Sequence, residues 1–180
     1  MNVNVREMQM VDIQKIVDYF HETETEFLEA MGVDKRKLPN RDLWIEKLKI
    51  EYDKKLENKE LYVIIWLFDD EPIGHSNISK IKFGNSATMH LHIWKNDNRK
   101  KGLGLEFLKR TIPMYFENYE LTKLICEPYS KNVAPNKVLQ KAGFTFIRSY
   151  DTIPGPLNFY QTIHRYELSA EEFEHLYKST

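Results

Sequence analysis

A chain of 180 residues with 42% hydrophobic side chains is long enough to bury the core of one compact domain, and no Pro/Gly/Ser linker or internal repeat divides it. The formal net charge of −1 argues against a general polyanion binder, and so against nucleic acid, while leaving room for a local basic cluster that holds a small phosphorylated ligand. The single cysteine, Cys126, excludes an internal disulfide; residues 1–6 lack the apolar core of a signal peptide and no run reaches the ~18 apolar residues that span a bilayer, so a cytoplasmic protein free of the membrane is expected.

Val3 and Val5 alternate with polar neighbours as in a first strand, and Asp12 to Phe20 then carries apolar side chains at helical spacing. Residues 34–39 are polar and punctuated, after which Asp42 to Tyr52 repeats apolar residues every three or four positions and predicts a second helix. The β-branched and aromatic run Leu61 to Phe68 reads as a strand, Asp69-Asp70-Glu71-Pro72 as a turn, and Ile73 to Phe83 as the returning arm of a hairpin. Gly84-Asn85-Ser86 turns the chain into a fourth strand, Ala87 to Trp94. Leu105, Leu108, Ile112 and Phe116 mark one apolar face of a later helix, which Pro113 is expected to kink or end early.

Leu121 to Glu127 is the next strand, with Leu124-Ile125-Cys126 buried and Cys126 a structural thiol. Asn132 to Lys141 is a short helix closed by Gly143, and Phe144 to Tyr150 and Gln161 to Leu168 are strands separated by the rigid loop Ile153-Pro154-Gly155-Pro156. Ser169, followed by Glu171 and Glu172, caps a terminal helix. The sum is one α/β domain over residues 1–180, a mixed central sheet of about seven strands flanked by helices.

The strand Met89-His90-Leu91-His92-Ile93-Trp94 empties into Arg99-Lys100-Lys101-Gly102-Leu103-Gly104 and then into a helix, the order of a phosphate cradle. Gly102 and Gly104 let the backbone approach an anion without Cβ interference, and the helix opening near Leu103 aims N–H groups and its positive dipole end at that anion, with Arg99, Lys100 and Lys101 adding charge. The P-loop is excluded because Leu105 and Glu106 follow Gly104, and the dinucleotide fingerprint because its third glycine would fall at Phe107.

These motifs in this order resemble the GNAT superfamily of acyl-CoA-dependent N-acyltransferases over nearly the whole chain. Arg99-x-x-Gly102-x-Gly104 stands where that family holds the CoA pyrophosphate, and Asn132 followed at fixed distance by Gly143-Phe144 is similar to its second signature. The pattern is closest to the ribosomal-protein N-terminal acetyltransferase branch, with Glu127-Pro128 resembling the aminoglycoside 6'-N-acetyltransferases. The resemblance implies acetyl-CoA as co-substrate, strands four and five splayed to admit its pantetheine arm, and a lining of His92, Ile93, Trp94 and Leu103, with Asn132 touching the arm. One backbone N–H of the fourth strand would polarise the acyl carbonyl.

Acyl transfer to an amine needs a base, because an alkylamine with pKa about 10 is protonated at neutral pH. Thr88 occupies the position of the family's usual glutamate, and His90, two residues on, shares its face by strand alternation. The His-x-His spacing is similar to that of serotonin N-acetyltransferase, offset by one member. His90 is therefore the first candidate base, His92 the second and Glu127 a rival that could instead hold a cationic amine. Two histidines without a third ligand make a poor metal site, and none is expected. The family's usual acid, a tyrosine, is Leu139 here, and the alternative serine is Pro135; Tyr129 or water would remain.

Acceptor contacts are expected from the first two helices and the loop before the last strand: Tyr19, His21, Glu22, Glu24, Glu26, Trp44, Tyr129, Tyr150 and Tyr160, although the acidic run His21 to Glu26 also fits a solvated helix end. The expected activity is direct transfer of acetyl from acetyl-CoA to the amine of a small molecule, peptide or protein. The alternatives are an aminoglycoside-like polyamine acceptor, a non-catalytic acyl-CoA sensor motivated by Thr88, Leu139 and Pro135, and a nucleotide-binding domain using the same cradle. Exposed edge strands would support a homodimer.

Overall fold

The computed structural model describes residues 2–94 and 102–178. Among these, seven strands form one mixed sheet in the order β1-β2-β3-β4-β5-β7-β6: β1 Val3–Glu7, β2 Leu61–Phe68, β3 Glu71–Lys82, β4 Ser86–Ile93, β5 Lys123–Cys126, β6 Thr145–Thr152 and β7 Gln161–Ser169. The first four strands are antiparallel neighbours joined by tight turns or, before β2, by the helical excursion; β5 lies parallel to β4 and requires the crossover helix between them. Helices α1 Asp12–Glu22, α2 Thr25–Ala30 and α3 Arg41–Asp53 belong to that excursion, and α4 Leu103–Tyr119, α5 Val133–Lys141 and α6 Ala170–Phe173 follow.

Strand alternation sorts the core into two layers. Val63, Ile65 and Leu67 of β2 face α1 and α3, packing on Ile13, Ile16, Val17, Phe20 and Leu48. Tyr62, Ile64 and Trp66 face the other way, where Trp66 stacks on Phe107 of α4 at 4.9 Å and donates its indole N–H to the Thr111 hydroxyl at 3.0 Å. The α1 layer is pinned to the sheet by charge: Arg6 on β1 makes a forked pair with Asp12 at 2.6 and 3.0 Å, and the Gln9 N–H donates to the same carboxylate at 2.8 Å.

Three elements depart from the sequence reading. Pro113 neither ends nor shortens α4, which continues to Tyr119. The missing N–H and ring clash cost about 3 kcal/mol, but Phe107, Leu108, Ile112, Tyr115, Phe116 and Tyr119 are all buried, each large side chain contributing about 1.5–3 kcal/mol; the carbonyl that loses its donor belongs to Lys109, an exposed residue of the helix. The acidic run is not a continuous helix end: α1 stops at Glu22 and α2 begins at Thr25, turning Leu28 into the core. The C-terminal helix is one α turn, closed by the Ser169–Glu172 capping box, that passes into a π turn over Glu174–Lys178. No helix of the described residues is long and apolar enough to cross a membrane.

The parallel pairing of β4 and β5 ends at Met89 and Cys126, where the Cys126 thiol donates to the Met89 carbonyl at 3.2 Å. Beyond that fork β4 stays with β3 as far as Ile93 opposite Gly74, while residues after β5 stay with β7, through His164 N–H to Pro128 carbonyl at 3.0 Å and Ser130 N–H to Thr162 carbonyl at 2.9 Å. The two halves of the sheet thus separate over His90 to Ile93. Because the Met89 carbonyl points to β5, alternation turns the backbone groups of Leu91 and Ile93 toward the gap.

Candidate active site

The fork opens onto a cavity of about 320 Å³ between the sheet and the α1/α3 layer. Its floor is one face of two strands in register: Ser79 opposite Thr88, Asn77 opposite His90 and His75 opposite His92. Glu127 and Tyr129 enter from beyond β5, Trp44 and Phe20 from α3 and α1, and residues 154–158 with Gln161 close the far side. Cys126 lies at the fork, but burial pushes its thiol up to about 12, which removes it as a nucleophile.

His90 is the histidine whose ring is open to this cavity, with the Ser79 hydroxyl 3.3 Å from its Nε2. Desolvation by the cavity walls, with the Lys80 ammonium in support, holds its imidazole below the ordinary histidine range, against a smaller opposing effect of Glu127. It is therefore neutral at pH 7. His92 is packed instead into an aromatic cluster, its ring 5.0 Å from Phe20, 5.7 Å from Tyr19 and stacked on His75 at 4.9 Å. His75 is buried and pushed down to about 3, and its Nδ1 accepts the Trp94 indole N–H at 2.7 Å; since an indole can only donate, that nitrogen carries the lone pair.

Glu127 is held by two donors on one oxygen, Arg165 Nη1 and the Tyr150 hydroxyl, each at 2.7 Å. Arg165 also reaches Glu167 at 2.8 Å. A carboxylate so paired is a fixed counter-charge at the cavity wall. Lys80, on the bulge between β3 and β4, stands at the cavity rim with φ 50° and donates to the Pro154 carbonyl at 3.2 Å.

Gly102 precedes α4 with φ 72°, a left-handed conformation natural to glycine, and nothing lies within 4 Å of the place where its Cβ would be. At Gly104 a Cβ would meet only the Val138 methyl at 3.6 Å, an ordinary contact. Internal packing does not demand glycine at that second position, whereas an anion seated against the first turn of α4 would. This cradle fits a pyrophosphate. Arg99, Lys100 and Lys101 lie outside the described residues. Asn132 occupies the N-cap position of α5 without a side-chain capping bond and lines the cavity.

The cavity thus gathers His90, His92, Glu127, Tyr129, Trp44 and Asn132 from the sequence-derived set, while Leu103 and Ile93 turn toward the α4 layer. Tyr19, Glu22 and Trp94 border a separate depression on the other flank of α1: the Tyr19 hydroxyl donates to the Met31 sulfur at 3.4 Å, and Glu22 pairs with Arg41 at 3.6 Å. Tyr160 is 68% exposed and lines nothing, because it stands one residue before Gln161, whose side chain turns inward, and alternation sends it out. Sequence reasoning missed His75, Lys80, Gln161 and the loop over 154–158. His75 was signalled only by its register opposite His92. Leu139 is fully buried in the α4 layer, so no acid stands at that position. No cluster of three metal-ligating side chains occurs among the described residues.

A family profile described as an acetyltransferase (GNAT) domain matches residues 2–145. Among solved structures, an aminoglycoside acetyltransferase in complex with coenzyme A and kanamycin superimposes with a TM-score of 0.73 at 16% identity over 97% of this chain and 98% of that one. A ribosomal L7/L12 alpha-N-protein acetyltransferase in complex with coenzyme A gives 0.77 at 11% identity, covering 96% of each chain. The spermidine N-acetyltransferase of Vibrio cholerae, with coenzyme A and spermine, gives 0.75 at 14% over 95% of this chain and 97% of that one. At such identities the likeness establishes the fold. No curated protein sequence matches the chain.

Proposed function

The chain belongs to the GNAT acetyltransferase family, and on that premise we propose that it is an acetyl-CoA-dependent N-acetyltransferase that passes acetyl directly to an amine, with His90 as the base. The observation that carries this reading is the cavity-facing imidazole of His90, bonded to Ser79 beside the fork where β4 leaves β5. Acetyl-CoA supplies the activated thioester. The first turn of α4, opened by Gly102 and Gly104, holds its pyrophosphate, with Arg99, Lys100 and Lys101 as flanking charge, and Asn132 contacts the arm.

Leu91 and Ile93 turn backbone N–H groups into the gap, where one of them can stabilise the charge that develops on the acyl oxygen. The acceptor nitrogen attacks the carbonyl carbon as its proton passes to the Ser79 hydroxyl, whose own proton moves to His90 Nε2. Glu127, fixed by Arg165 and Tyr150, attracts the acceptor's positive charge without taking its proton. The departing thiolate resembles an ordinary thiol with pKa about 8.5 and leaves without a dedicated acid, though the Tyr129 phenol is within the same cavity.

Calorimetric titration with acetyl-CoA, followed by thiol release in the presence of primary amines, tests the reading. Micromolar binding and amine-dependent release, with release lost and binding kept in His90→Gln, is the expected result. Tight binding with no release for any amine overturns the transferase assignment, and absence of binding overturns the cradle.

A further inference from the structure

We propose that the acceptor is a small apolar monoamine, an aryl-alkylamine in chemical class, and not a polycation or a polypeptide N-terminus; this rests on the acetyltransferase reading above. The wall of the cavity opposite His90 is made of Ile16, Phe20, Trp44, Leu48, Val63 and Leu157, contributed by both helices, the sheet and the closing loop. Phe20 and Trp44 present a tilted aromatic pair with ring centres 5.2 Å apart. Such a wall takes up an aromatic or branched aliphatic body and offers a second ammonium no carboxylate.

Charge in the cavity points the same way. Glu127 is the only carboxylate lining it among the described residues, and since its partner Arg165 is shared with Glu167 it offers charge for one ammonium. Lys80 at the rim adds a positive charge. The acidic run His21 to Glu26 that suggested a cationic acceptor lies elsewhere: Glu22 pairs with Arg41 and borders the separate depression, and Glu24 and Glu26 are exposed and line no part of the cavity. A single ammonium can approach Glu127 and lose its proton to His90, whereas a further ammonium finds no second carboxylate among the described lining residues, only neutral groups such as Asn77, Asn158 and Gln161.

Closure sets the size. The loop over 154–158 is strapped to the segment after α2 by the Asp34 N–H to the Leu157 carbonyl at 2.8 Å, Asn158 Nδ2 to the Gly32 carbonyl at 2.8 Å, Gln161 Nε2 to the same carbonyl at 2.7 Å and Lys37 Nζ to the Asn158 carbonyl at 2.6 Å. A polypeptide would need an open groove where this strap lies. The acceptor therefore ends inside the cavity.

The test is calorimetric titration of the protein–CoA complex with 2-phenylethylamine, spermidine, kanamycin and a short peptide bearing a free N-terminus, beside thiol release from acetyl-CoA with each. Binding of 2-phenylethylamine at least tenfold tighter than the others, weakened at least tenfold in Trp44→Ala with CoA affinity unchanged, is expected. Met31→Glu places a carboxylate in the wall from a half-buried position and should shift preference toward 1,5-diaminopentane, which keeps the test decisive if the Trp44 variant does not fold. Tighter binding of spermidine, kanamycin or the peptide overturns the acceptor class while leaving an acetyltransferase. Binding of 2-phenylethylamine without thiol release upholds the pocket and overturns the transferase reading.

Discussion

Substitution of Gly104 by alanine separates what the fold needs from what the ligand needs. The new Cβ meets only the Val138 methyl at 3.6 Å, so the protein itself offers no resistance. Replacing glycine by alanine in a helix recovers about 0.5–1 kcal/mol of backbone entropy, which in a domain of this size raises Tm by about 2–4 °C per kcal/mol. The same methyl projects from the first turn of α4, whose N–H groups would close on the pyrophosphate. Charged hydrogen bonds of that kind contribute about 1.5–3 kcal/mol each, so loss of one weakens acetyl-CoA binding by about tenfold to 150-fold. Differential scanning calorimetry and isothermal titration read the two effects independently, and the expectation is a higher Tm with a lower affinity. Unchanged affinity in a stabilised variant would refute the pyrophosphate placement; a lower Tm would refute the account of why glycine stands there.

Replacing His90 by Gln should lower kcat by about 10²–10⁴-fold, the range of a general base, while acetyl-CoA affinity holds; a fall in affinity with kcat preserved would make it a packing residue. Because the His90 imidazole is held below the ordinary histidine range, the acid limb of the kcat profile should lie below pH 6.5, and a limb centred above 7 would contradict its assignment. His75, at about 3 when folded against about 6.5 when unfolded, leaves the unfolded chain binding more protons between those values, so stability present above pH 6.5 is lost on acidification at up to about 1.4 kcal/mol per pH unit. His75→Gln keeps an acceptor for the Trp94 indole and should flatten that slope in urea titrations at pH 4–7. Replacing Arg6 by Met strands the fully buried Asp12 carboxylate and should cost about 3–5 kcal/mol; a loss below 1 kcal/mol in chemical denaturation would show that the pair contributes little. Gly32→Ala forces a φ of 84° on alanine and drives a Cβ to 2.1 Å from Gln161 Oε1, so it should raise the acceptor KM several-fold with acetyl-CoA affinity intact.

The strands could be read from the chain because β2 is an unbroken β-branched and aromatic run buried on both faces, β4 alternates, and turns are marked by Asp69-Asp70 and Gly84-Asn85. His90 was legible for the same reason: it shares a strand face with Thr88. His75 was not, because its position depends on a register shift between Ser79 and Lys82 that no residue type announces; without that bulge, counting back from the turn puts its side chain on the opposite face. Pro113 misled in the other direction, since a local penalty was weighed without the aromatic burial of the surrounding helix. Tyr19 and Glu22 were placed by helix membership alone. Which flank of α1 each occupies is settled by the Arg41 pairs and by the aromatic packing on His92, both long-range contacts.

The strap over the cavity joins residues that are 121 to 129 positions apart along the chain. Closing a loop of that length from an open coil carries an entropic cost of about 4 kcal/mol beyond the constant for the shortest loop, about what the four hydrogen bonds of the strap, one of them buried, return at roughly 0.5–1.5 kcal/mol each. The strap can form only after β7 has docked on β5 and brought its ends together. It is therefore expected to assemble late, so substitutions at Leu157 or Asn158 should accelerate unfolding more than they slow folding, which chevron kinetics would read. The enclosure to which acceptor choice is assigned can in this way change by substitution without burdening the sheet's path to its native state.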